Sequence, residues 1–259
     1  MTYILNKADR DLFYSRNDAK DRRLGELIHR ARVCDLRSGT IAIIGIPEDR
    51  GIAANKGRSG ASLAPDEIRR KLYKLTPGFT MDFGRITVVD TGNLCNDGLT
   101  LEEVHLAEQE AVAEIVSYGA IPLVLGGGHD LTYPGLAGLV QGANIGHDGL
   151  GLINVDAHLD VRTDKNGINS GTSFYRALTQ LPDKALSGDS FVEFGIQEQY
   201  NSPHYYQWIR GLGGTVFTLR EVSERVMESF LQSLSIAGKR GHTIALSLDI
   251  DAVRSTEAP

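Results

Sequence analysis

"LGLINVDAHLD", residues 150–160, is the stretch on which the reading of this chain turns. It begins as a mostly apolar run, the pattern of a strand buried on both faces of a parallel sheet. It then presents Asp156, His158 and Asp160 at every second position. Successive side chains of a strand point to opposite faces, so residues two and four apart share one side. If the extended conformation persists to residue 160, two carboxylates and an imidazole converge where the strand runs out. Carboxylates are costly to bury without a compensating charge, so the pattern asks for a cation.

The same grammar recurs along the chain. "TIAIIGIPED" (40–49), "ITVVDTG" (86–92), "IPLVLGGG" (121–128), "FVEFGI" (191–196), "TVFTL" (215–219) and "HTIALSLDID" (242–251) read as further strands. Helical patterns lie between them at 101–119, 202–213 and 220–238, with Thr100 and Ser202 as caps and Gly119 and Gly238 as stops. Strands alternating with helices predict an α/β fold on a mostly parallel sheet. Residues 1–38, polar with scattered apolar positions, are expected to form an N-terminal helical arm, and 1–259 is read as a single domain. The irregular stretches 48–65 and 161–173 follow strand candidates. They fall at the carboxyl edge, where open α/β sheets place their ligands.

Two more strand ends carry chemistry. "GGGHD" delivers His129 after three glycines, and "SLDID" delivers Asp249 and Asp251. Four aspartates cannot share a pocket without cations, and two divalent ions would balance them. Oxygen and nitrogen donors without thiolate favour Mn²⁺, Fe²⁺ or Zn²⁺ over Ca²⁺ or Mg²⁺. Each piece alone has a plainer reading, Asp-x-Asp as a cap or turn and "GGGHD" as a phosphate-cradling turn.

Composition narrows the partners. The net charge is −6 and the basic runs are short, "KDRR" (20–23) and "RRK" (69–71) among them, so nothing resembles a nucleic-acid or anionic-membrane footprint. No apolar run reaches the length of a membrane span, and the charged N-terminus has no signal-peptide pattern. Only Cys34 and Cys95 occur, without metal-type spacing, which fits a reducing cytoplasm. A small-molecule substrate and copies of the same chain are the expected partners.

"LGGGHD" (125–130), "NVDAHLDVR" (154–162) and "SLDIDAV" (247–253), in that order and preceded by "GIPEDRGIAANKGRSGASLAPDEIRR" (45–70), resemble the arginase family of ureohydrolases over about residues 40–259. The resemblance implies a three-layer α/β/α sandwich on an eight-stranded parallel sheet, with two Mn²⁺ at its carboxyl edge. Carried over position by position, it implies that His129, Asp156, Asp160 and Asp249 hold one ion. Asp156, His158, Asp249 and Asp251 then hold the other, and Asp160 orients an attacking hydroxide that bridges the metals. Trimers or hexamers are implied on the same ground.

Within the family, arginases and agmatinases carry a His before Gly in the following loop, whereas this chain reads "NSGTSF" (169–174). Ser170 at that place resembles the formimidoylglutamases. Arg162 stands where arginases use a neutral Asn, and its guanidinium could pair bidentately with a substrate carboxylate. The alternatives are a surface arginine or one bracing a ligand Asp. The expected substrate is N-formimidoyl-L-glutamate, hydrolysed to glutamate and formamide in histidine catabolism, with Arg162, Asn169 and Ser170 as substrate-binding candidates. Agmatine, guanidinobutyrate or arginine, with release of urea, are the alternatives. A non-catalytic, metal-stabilised binding protein is the reading from another class. The family also continues past the point matching Pro259, eight residues beyond Asp251. The expectation is therefore a fold shortened at its C-terminal end, with weak metal binding and poor turnover.

Overall fold

The computed structural model describes residues 3–79, 82–241 and 243–253. His242, the first residue of the last strand expected from sequence, lies outside them. The chain divides into two compact units, residues 1–143 and 144–259.

Unit 1 runs β1 (Leu5–Asn6), α1 (Leu24–Leu27), β2 (His29–Arg30), β3 (Ile41–Gly45), α2 (Arg50–Ala54), α3 (Ala64–Leu72), β4 (Val88–Leu94), α4 (Leu101–Ser117), β5 (Ile121–Leu125) and α5 (Thr132–Gly142). Its sheet has the order β1-β4-β3-β5, with β2 also on β4. All pairings are parallel except β1 with β4. β3, the central strand, carries Ala42, Ile43 and Ile44, all fully buried. At about 1.5–3 kcal/mol for each large apolar side chain, such residues supply the driving force of the unit.

The N-terminal segment is not the helical arm expected from sequence. Its longest α-helix has four residues, and β1 and β2 instead add strands to β4. Ala8, Leu12, Leu24, Ile28, Val33 and Leu36 are buried. Their spacing matches no single helical face, so the segment covers the core as an extended strap. α4 begins as expected, with a reciprocal capping box between Thr100 and Glu103, and Gly119 follows its end at φ +72°.

Unit 2 runs β6 (Leu150–Val155), α6 (Ser173–Gln180), β7 (Leu186–Ile196), α7 (Pro203–Gly211), β8 (Thr215–Thr218), α8 (Leu219–Val222), α9 (Val226–Ala237) and β9 (Thr243–Leu248). Its strands are parallel in the order β8-β7-β6-β9. β6 is central, and Leu150, Leu152 and Ile153 are fully buried. The helix expected over 220–238 is two helices. The Ser223 hydroxyl donates to the Leu219 carbonyl, competing with the backbone ladder at the break.

The fold class is the expected one, α/β with mostly parallel sheets. The described strands pair in two sheets, one within each unit. β5 and β9 pair on one side only among the described residues.

Candidate metal centre

In unit 2 the ligand candidates gather where β6 stops. The last rungs of the ladder are Asp156 N–H to the Phe194 carbonyl, 3.1 Å, and Asp249 N–H to the Val155 carbonyl, 2.9 Å. Beyond them the chain bends. Asp156 Oδ1 accepts the His158 N–H at 2.7 Å, closing an Asx turn, and Asp160 adopts φ +43°. The extended run expected to reach residue 160 therefore ends at 155, because the first acidic side chain captures an N–H that a strand would have offered to a neighbour.

The bend, not the alternation, assembles the group. Asp156, His158 and Asp251 each offer a ligand atom within 4.8 Å of the others. His158 Nδ1 lies 2.9 Å from Asp251 Oδ2 and 3.6 Å from Asp156 Oδ1. Asp251 Oδ1 accepts the Ala157 N–H at 3.2 Å, and Asp249 Oδ1 accepts the Asp251 N–H at 3.0 Å. Asp156 and Asp249 also offer carboxylate oxygens within 4.8 Å of each other. Asp160 is not a member of the Asp156, His158 and Asp251 group.

Asp156 is fully buried, whereas Asp251 is exposed at 42%. Between these two carboxylates the His158 imidazole is pushed up to about 10. Hydrogen bonding to Asp156 raises it most and hydrogen bonding to Asp251 next, with the charges of both carboxylates adding to this. Carboxylate oxygens and one imidazole, without thiolate, are a donor set for a divalent ion such as Mn²⁺, and on this ground the residues fit the metal expected from sequence.

In unit 1, His129 is half-buried and opens a short turn after β5. The glycines before it allow close approach. A Cβ on Gly127 would stand 1.8 Å from the Glu48 carbonyl oxygen, and the Gly128 N–H donates to that oxygen at 2.8 Å. The neighbouring Asp130 is buried against His105 Nε2 at 2.8 Å.

Arg162, Asn169 and Ser170 share one loop. The Arg162 N–H donates to the Gly171 carbonyl at 2.8 Å, and its side chain is exposed. Asn169 spends its amide on the turn itself, accepting from the Gly171 N–H at 3.1 Å and donating to the Gly167 carbonyl at 3.3 Å. Ser170 is half-buried.

Reading the sequence missed three supporting residues. Asn154 and Glu193 are cross-strand neighbours, both fully buried, and Asn154 Nδ2 donates to Glu193 Oε2 at 2.8 Å and to Asp156 Oδ2 at 3.2 Å. A charged residue inside the apolar run "FVEFGI" was the available signal. Asn201 clamps the bend from another loop, and nothing local in the sequence marks it.

Comparison with known proteins adds to this geometry. The arginase family model matches residues 39–259. Formimidoylglutamase from Cupriavidus pinatubonensis is 32% identical over 225 residues, covering 85% of this chain and 68% of the relative. That from Clostridium tetani is 28% identical, covering 84% and 64%. The chain thus spans about two thirds of the length of these curated relatives. Among solved structures, Trypanosoma cruzi formiminoglutamase with Mn²⁺ superposes with a TM-score of 0.80 at 30% identity, covering 91% of this chain and 77% of that one. Formimidoylglutamase from Bacillus subtilis, at 23% identity and a TM-score of 0.81, shares the fold.

Proposed function

The chain belongs to the arginase family, and from that premise we propose that it hydrolyses a C–N bond of a linear amidine with the aid of two Mn²⁺ ions. N-formimidoyl-L-glutamate and water give L-glutamate and formamide in this reading. The observation that carries it is the buried Asp156 facing His158 and Asp251, with a carboxylate oxygen of Asp249 close by. The relatives named formimidoylglutamase support the choice of substrate.

When bound, the two ions supply a water of lowered pKa and polarise the amidine. In the proposed assignment His129, Asp156, Asp160 and Asp249 hold one ion, and Asp156, His158, Asp249 and Asp251 the other. Asp160 also orients the attacking water. Arg162 grips a carboxylate of the substrate, and Asn169 and Ser170 shape the loop beside it. The exposed Arg162 side chain on a turn closed by Asn169 supports this. The proposal includes a single catalytic domain, a homo-oligomer, a trimer or hexamer, and a cytoplasmic place in histidine catabolism. The free state of Cys34 and Cys95 suits a reducing compartment, and among the described residues no helix is long and apolar enough to cross a membrane.

The test is a product assay at saturating Mn²⁺. Formamide is expected from N-formimidoyl-L-glutamate, with little urea from agmatine, 4-guanidinobutyrate or arginine. Urea without formamide would move the substrate to a guanidine, and the absence of both products would favour the non-catalytic reading.

A further inference from the structure

The segment that carries His158 has left its sheet. β6 ends at Val155, and Asp160 lies in the left-handed region. What holds the segment in between is a side chain from a different loop. Asn201 Oδ1 accepts the Leu159 N–H at 2.9 Å, while Asn201 Nδ2 donates to the Ala157 carbonyl at 2.8 Å and to the Gln197 carbonyl at 2.9 Å. The Gln197 N–H donates to the same Ala157 oxygen at 3.0 Å. The peptide groups on both sides of His158 are thereby fixed by one amide, whose two donors and one oxygen are all in use. The same turn brings the Tyr200 ring to 5.9 Å from the imidazole, centroid to centroid, at 58°.

We infer that Asn201 is a positioning residue for His158, holding the bend so that the imidazole stands beside Asp156 and Asp251, and that it governs the affinity of the ion these three residues bind. The inference rests on the proposed two-metal reading and deepens it. Only an amide serves here. An aspartate of the same size can still accept the Leu159 N–H, but it cannot donate and would face two carbonyl oxygens. Asn201 touches neither the ion nor the substrate in this account, so its removal acts through His158 and falls mainly on the ion that His158 holds.

The test titrates the 259-residue chain, Asn201→Ala and Asn201→Asp with MnCl₂, following free Mn²⁺ by electron paramagnetic resonance. Thermal unfolding of each metal-free protein is recorded alongside. The wild type is expected to bind two ions. In both variants one binding step weakens by roughly 10–100-fold, the usual effect of removing a group that orients a ligand, while the other step stays within about threefold. In the metal-free proteins, exchange of the Leu159 amide hydrogen should quicken in Asn201→Ala and stay protected in Asn201→Asp. A merely structural role would weaken both steps alike in proportion to lost thermal stability, and that result overturns the inference, as does an unchanged titration. Should the alanine variant fail to fold, the aspartate variant decides. A wild-type chain that binds no manganese overturns the two-metal reading and this inference together, whereas two ions in the wild type with unmoved variants overturns this inference alone.

Discussion

Asp90 and Asp156 are both buried, yet they are built for opposite ends. Asp90 lies in β4 and is neutralised from within unit 1. Arg69, itself fully buried, meets it with Nε at 2.8 Å and a terminal nitrogen at 2.9 Å, and the Tyr73 hydroxyl and the Gly92 N–H add bonds at 2.5 and 2.8 Å. The remaining guanidinium hydrogens go to the Asn93 side chain and to the Pro65 and Gly92 carbonyls. Asp156, just past β6, faces an amide, a backbone N–H, an imidazole and a second carboxylate. The first arrangement stores charge complementarity as stability. The second leaves negative charge concentrated where a cation can enter.

The largest effect should come from the first site. Arg69→Met strands a buried carboxylate, and about 3–5 kcal/mol of unfolding free energy should be lost, as read by urea denaturation. A loss below about 1 kcal/mol would mean that Asp90 finds another cation or becomes protonated cheaply. Asp156→Asn should do the reverse. The metal-free protein should lose less stability than Arg69→Met does, since Asn keeps the shape and a side-chain oxygen for the His158 N–H, while Mn²⁺ affinity falls by about 100-fold or more. Manganese binding that survives this change would show Asp156 to be structural, like Asp90.

A smaller effect sharpens the contrast at a third buried acid. Burial, and then the charge of Asp130, raise Glu108 well above the usual carboxylate range. The folded state therefore keeps its proton after the unfolded chain has lost it near pH 4.5, and stability contributed below that pH is lost as pH rises toward the folded value. Glu108→Gln cannot ionise, so its stability relative to the wild type should increase from pH 4.5 to pH 8. Parallel stability profiles for the two proteins would contradict the shift.

The pair of aspartates also shows how much was legible in the sequence. "VVDTG" and "INVDAH" look alike as strands ending in an acid. What separates them is the His two residues after Asp156, together with the distant Asp-x-Asp at 249–251, and those were enough to nominate the metal group. The guanidinium that neutralises Asp90 comes from α3, 21 residues earlier, and no local pattern announces it. Strand cores were readable because β-branched apolar runs have few other uses. The geometry past the strand was not, since the Asx turn of Asp156 and the clamp by Asn201 depend on contacts formed only in the fold. The N-terminal strap misled for a related reason: its apolar residues answer to the core beneath them and not to a helical period.

Metal content measured together with turnover tests the central claim most directly. The 259-residue chain, purified with Mn²⁺ in excess, should carry two manganese ions by elemental analysis and release formamide from N-formimidoyl-L-glutamate. Chelation should abolish both, and Mn²⁺ should restore both. Turnover that is indifferent to chelation, or a chain that binds no manganese at all, would contradict it.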